Sequence, residues 1–134
     1  MSNSLANTVT AEINEKGNVT GKEFSGIFIA KTKLSIAGTL EEDRIRRTVL
    51  GENSQDAGGI AQGIAAAYAY LRVRLVNFPD WWKDSDLGLS LEDLNILAAV
   101  NNSVQELIGK EYEKLNKAAI AAQETLKAEA AKGQ

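Results

Sequence analysis

The chain contains neither cysteine nor histidine in its 134 residues. The first absence removes disulfides, thiolate metal sites and thiol nucleophiles, and it fits a reducing compartment. The second removes the side chain that titrates nearest neutral pH and the commonest metal ligand. Catalysis would have to rest on carboxylates, lysine, tyrosine or serine, so the expectation is a non-enzyme without metal or cofactor. Basic residues are also in deficit, with 15 Lys and Arg against 18 Asp and Glu and a net charge of -3. Phosphate contact needs a basic footprint, so neither nucleic acid nor an anionic membrane is an expected partner. No apolar run approaches the roughly 20 residues of a membrane span. The opening MSNSLANTVT lacks a basic and apolar signal pattern. A soluble, cytosolic chain is expected.

What is present is ordinary globular material: 44% hydrophobic and 25% charged residues. The length suits one domain, 1–134, able to bury a core without staples. Residues 1–7 are small and polar and read as a loose arm. Val9, Ala11 and Ile13 then alternate with polar residues, the period of a half-buried strand. Glu15-Lys16-Gly17-Asn18 supplies a turn in which Gly17 is available for positive φ. A second run, Lys22 to Ser35, alternates imperfectly, with Gly26 marking a bulge. A β-hairpin over 8–35 follows, and a lone hairpin must pack on something else.

Three helical stretches come next. Thr39-Leu40-Glu41-Glu42 reads as a capping box opening a helix over 39–50, closed by Gly51. Glu41, Glu42 and Asp43 fall in its first turn and Arg44, Arg46 and Arg47 follow, an order suited to the macrodipole and to a solvated face. The polar linker GENSQDAGG has no phosphate-loop or dinucleotide spacing. An alanine-rich helix over 57–77 repeats Ile60, Ile64, Tyr68, Leu71 and Leu75 at helical intervals. Its thinness places it at the centre of the fold or at a helical interface, and Pro79 stops it. From Ser90, with Asp93 at N3, a long helix runs over 90–132 with Gly133 closing the run. Its stripe, Leu97, Val100, Val104, Ile108, Tyr112, Leu115, Ala119, Ala122 and Leu126, steps by three or four. A helix of about 60 Å exceeds what such a domain covers. It either breaks near 101–109, at Asn101-Asn102 or Gly109, or projects toward a partner. The fold class is α+β, mainly α: an N-terminal β-hairpin followed by three to four helices, the last of them long.

The chain's one proline and both tryptophans share the stretch NFPDWWKDSDLG, residues 77–88. It reads as a corner, with one indole inward, one at a rim, and Asp80, Asp84 or Asp86 as N–H acceptors. The rival reading makes a tryptophan a partner anchor. Acid pairs Asp84 and Asp86, or Glu92 and Asp93, lack supporting polar companions, and Asp80, Asp84 and Asp86 lack the spacing and terminal glutamate of a calcium loop. An enzyme would show itself as a pocket gathering two or more carboxylates with a Lys or Tyr.

One resemblance rests on the order of these features. A β segment with GKEFSGIFIAKTKLS, a helix with EEDRIRRTVLG, an alanine-rich helix ending LRVRLVNFPDWW and then DLGLSLEDLNILAAV stand in that order. Over roughly residues 21–112 this resembles the tail assembly chaperones of long-tailed bacteriophages, encoded between the tail-tube and tape-measure genes. The resemblance implies a non-enzymatic protein of the host cytoplasm that keeps the helical tape-measure protein soluble, helps recruit tail-tube subunits and forms homo-oligomers. Candidate contact residues on the apolar helix surfaces and the corner are Tyr68, Leu71, Trp81, Trp82, Ile108, Tyr112, Leu115 and Ala119. The alternative is a structural virion protein, a connector, tube-associated or decoration component, using strand and helix contacts between subunits.

Overall fold

A computed structural model describes residues 5–52 and 56–132. The chain is α+β and mainly α, as its sequence pattern predicts. Strands β1 (Thr8–Lys16) and β2 (Glu23–Lys31) form an antiparallel hairpin, followed by α1 (Ile36–Leu50) and α2 (Gly59–Arg74). A short strand β3 (Leu75–Asn77), a one-turn helix α3 (Asp80–Asp84) and the long helix α4 (Leu94–Lys132) complete it. The sheet order is β1-β2-β3. The arm expected at 1–7, the linker at 51–59 and the closing Gly133 lie partly or wholly outside the described residues. Where the arm is described it is held: buried Thr32 donates through its hydroxyl to the carbonyls of Ala6 and Asn7.

Alternation in β1 puts Val9, Ala11 and Ile13 on the inner face, beside Phe28 and Ala30 of β2. Against this face lies α4, whose Leu97, Val100, Val104 and Ile108 are buried in the same core as Leu71 and Trp82. The four-residue steps from Val100 keep one stripe of α4 on the sheet. α2 packs between α4 and α1, with Ala65, Ala67 and Ala69 buried. Alanines let helices approach closely here, since a larger side chain would hold the axes apart. Against the described residues α1 buries none of its own. It rides on α2, tied by Glu42, which accepts from Arg74 at 2.7 Å, while that guanidinium lies 3.7 Å from the Tyr70 ring centre.

Several boundaries differ from the sequence reading. α1 starts one turn early: Ser35, not Thr39, is the N-cap, its hydroxyl accepting from the Gly38 N–H at 3.0 Å. The acids Glu41, Glu42 and Asp43 therefore leave the first turn and pair with arginines instead. Gly51 does end the helix with φ 83°. The helix expected over 57–77 ends at Arg74, because Leu75–Asn77 pairs with β2 at Ile29 and Ala30. An edge strand with unmet hydrogen-bonding groups outcompetes one further helical turn there. The bulge sits at Ile29/Ala30 against β3, while register with β1 runs unbroken through Gly26. Gly26 is needed for another reason: a Cβ would lie 2.7 Å from the Pro79 ring. The positive φ of the hairpin turn belongs to Gly21, not Gly17. α4 begins at Leu94 rather than Ser90 and runs unbroken through Asn101-Asn102 and Gly109.

Candidate partner-binding surfaces

The tryptophan corner is the hinge between sheet and helices. Pro79, with its fixed φ, precedes α3 and is unable to extend a strand, so the chain turns where β3 ends. α3 sets the two indoles at nearly right angles, 6.1 Å apart. Trp82 is 1% exposed and packs edge-on to Phe28 at 5.3 Å. Trp81 is partly exposed and touches Phe24 and Phe28. Its Nε1–H donates to the Ser25 carbonyl at 2.8 Å, not to an aspartate. Ser25 lies beyond the reach of three-residue β3, so the indole supplies a donor where the sheet provides none. One indole points inward and one lies at the rim. After α3 the chain reverses through Asp86, Leu87 and Gly88, all at positive φ. Gly88 is required because a Cβ would lie 2.6 Å from the Trp82 ring.

The start of α4 clasps the hairpin. Asp93, 1% exposed, accepts at Oδ1 from the Val19 and Thr20 N–H groups at 2.7 and 2.9 Å, and at Oδ2 from the Thr20 hydroxyl at 2.6 Å. Asn95 accepts from the Asn18 N–H and donates to the Lys16 carbonyl. The hydroxyl of Thr20 and the turn amides hold the Asp93 carboxyl below its ordinary range against the opposing cost of burial. Sequence reading took Asp93 for part of a Ser90 cap. No local pattern announces a bond spanning 74 residues.

An open groove of about 490 Å³ runs beside this clasp, with Lys22, Glu23, Trp81, Asp84, Glu92 and Asp93 in its lining. It gathers carboxylates and a lysine, the composition an acid–base site would need. Asp93, however, has both oxygens committed to the turn and its proton affinity lowered, opposite to what a general acid requires. Among the described residues no group of three or more Asp or Glu is placed to hold a metal ion, and no helix is long and apolar enough to cross a membrane. The arginines of α1 are paired: Arg44 with Glu41, and Arg46 and Arg47 with Asp43.

The contact residues expected from sequence fall into two groups. Tyr68, Leu71, Trp82 and Ile108 are buried in the fold and present no surface to a partner. This corrects their reading as direct contacts; a stripe at helical spacing marks core and interface alike. Tyr112 and Ala119 are exposed, and Trp81 and Leu115 partly so. Tyr112 ties α4 to the end of the hairpin, its hydroxyl donating to the Thr32 carbonyl at 3.2 Å; among the described residues no later side chain of α4 hydrogen-bonds to another element. Residues 121–130 are all exposed, and Ile120 and Leu126 stand 48% and 65% open. The long helix thus takes the projecting alternative.

A second surface was missed. An open groove of about 250 Å³ between α2 and α4 is lined by buried Ala67 and Leu97, half-buried Ile64 and exposed Gly59, Gly63 and Ala98, with Ile60 and Leu94 beside them. Those two are 74% and 49% exposed. Asn101, also in its lining, has a buried Oδ1 without a hydrogen-bond partner among the described residues. The signal available was Gly59-x3-Gly63-x3-Ala67; the sequence reading placed this thin helix at the centre of the fold or at a helical interface without singling out this face. Taken together, the fold and these surfaces define a small α+β chain with a projecting helix and an open interhelical groove. The chain matches no family model, no curated protein and no solved structure.

Proposed function

We propose that this chain is a non-catalytic assembly factor of the tail-chaperone kind, which shields a helical client, the tape-measure protein, and acts in the host cytoplasm during tail assembly. The observation that carries the reading is the α2–α4 groove. The small exposed side of its lining, Gly59, Gly63 and Ala98, leaves room for a helix at close range, and Ile60 and Leu94 offer exposed apolar area. An apolar client helix suits both the small lining and the apolar rim. The order of elements along residues 21–112 supports the same class, and recruitment of tail-tube subunits belongs to the proposal.

Co-expression with a tape-measure protein from the same source genome is the test. The client becomes soluble and co-purifies with the wild-type chain, and Ala98→Glu, at an exposed position of the groove lining, abolishes both effects while leaving the fold intact. A client equally insoluble with and without the chain overturns the reading. Mass spectrometry of purified particles gives a second check: a chaperone is absent from them, and stoichiometric presence would favour the structural virion role.

A further inference from the structure

The α2–α4 groove does not end at Leu94. A smaller hollow of about 150 Å³ adjoins it, and the two share Ile64, Leu94 and Leu97 in their linings. That hollow in turn shares Leu91, Glu92 and Asp93 with the groove of about 490 Å³ beside the tryptophan corner. The three depressions follow one another around the start of α4, with exposed Leu89 along the middle one.

The path changes character along its length. Its α2–α4 end is lined without a charged residue. Its corner end carries Glu23, Asp84 and Glu92, all exposed and none in an ion pair among the described residues. Lys22 is the one cation in that lining, and its charge acts on buried Asp93.

Trp81 stands in the same lining. Its Nε1–H is tied to the Ser25 carbonyl and Phe24 packs edge-on at 5.0 Å, so the indole is held in place while part of it stays open. Exposed carboxylates alone bind a cation weakly. A fixed aromatic ring beside them adds attraction for a guanidinium or ammonium and apolar area for its stem. The chain uses this pairing internally: the Arg74 guanidinium lies 3.7 Å from the Tyr70 ring centre and donates to Glu42.

We propose that the corner groove receives an arginine or lysine of the client, carried at one end of the helix whose apolar stretch lies in the α2–α4 groove. The proposal rests on the chaperone reading and adds the chemistry of the segment recognised: apolar for most of its length, then cationic. Charge complementarity selects this occupant. An acidic end would meet Glu23, Asp84 and Glu92 with like charge, and a wholly apolar one would desolvate them without a partner.

Fluorescence titration with synthetic helical peptides tests this without the client protein. The peptides share an alanine- and leucine-rich body and carry an arginine pair at the N-terminal end, an arginine pair at the C-terminal end, or glutamines in place of the arginines. One arginine peptide should bind about tenfold more tightly than its glutamine counterpart and alter the emission of partly exposed Trp81. The advantage should shrink at high salt and be lost in Asp84→Asn/Glu92→Gln, whose exposed side chains hold nothing in the fold. Equal affinity of arginine and glutamine peptides, or a preference that survives the double variant, overturns the proposal and leaves the chaperone reading standing. Absence of binding by every peptide overturns the proposal and counts against the α2–α4 groove as well.

Discussion

Gly17 and Asp93 stand in such close contact that a Cβ on the first would collide with the carboxyl carbon and both oxygens of the second. The hairpin turn wraps around the carboxylate that begins the helix 76 residues later along the chain, and only glycine leaves it room. The turn donates two amides and a hydroxyl to Asp93, so the contact couples β1–β2 to α4.

Gly17→Ala is therefore a steric test of the clasp. The φ of Gly17 is not in the left-handed region, so the effect is packing and not backbone strain. Destabilisation of about 1–3 kcal/mol, the range for overpacking a filled site, is expected in urea unfolding. A neutral result would mean that the turn can move off α4 freely.

Protonation of Asp93 gives a second test with a definite sign. Its folded-state pKa is lowered from the ordinary 3.8, so across the interval between the unfolded and folded values the native state binds fewer protons than the unfolded state. The stabilisation is fully present above about pH 5 and is lost as pH falls through the depressed folded value. In Asp93→Asn this dependence disappears. The stability gap between wild type and variant should be constant near neutrality and shrink as the pH drops below 3.8. Glu41 and Asp43 also have lowered values but titrate alike in both chains and cancel in the difference.

The two tryptophans separate by magnitude. Trp82→Ala empties a site that is 1% exposed and costs about 3–5 kcal/mol. Trp81→Phe keeps the ring contacts with Phe24 and Phe28 but deletes the donor to the Ser25 carbonyl, costing about 1 kcal/mol. Chemical denaturation followed by circular dichroism measures both.

α1 should open first. It buries no residue against the described chain and is held by α2 contacts and the Glu42–Arg74 pair, whose side chains are 29% and 16% exposed. Native-state hydrogen exchange should show α1 amides opening at lower free energy than those of α4 between Ile96 and Ile108. Arg74→Met should speed exchange in α1 while leaving the Asp93 clasp protected. Equal protection of α1 and the α4 core would show that α1 is part of the global unfolding unit.

Strong periodicity made much of this fold legible. The alternation of Val9, Ala11 and Ile13 and the long stripe of α4 each require a single face, and burial supplies one. Weak choices were decided elsewhere. Ser35 and Thr39 are both competent N-caps, and the Glu at position 42 made the later one look better; Glu42 is spent on Arg74 instead. Leu75-Val76-Asn77 suits helix or strand, and the open edge of β2 selects strand. The surface residues split the same way: helical spacing identified the apolar stripe, but it could not say where along α4 the fold ends.

By itself the sequence determined the hairpin, the helical elements, the turn of the chain at Pro79 and the lack of histidine and cysteine chemistry, because these depend on residue type and local period. Tertiary structure alone decided that Asp93 binds a turn 73 and 74 residues away, that Trp81 bonds a strand carbonyl, that Gly26 makes room for Pro79, and that α4 outruns its partners after Tyr112. Each of these is a contact between segments whose separation along the chain carries no information about their separation in space.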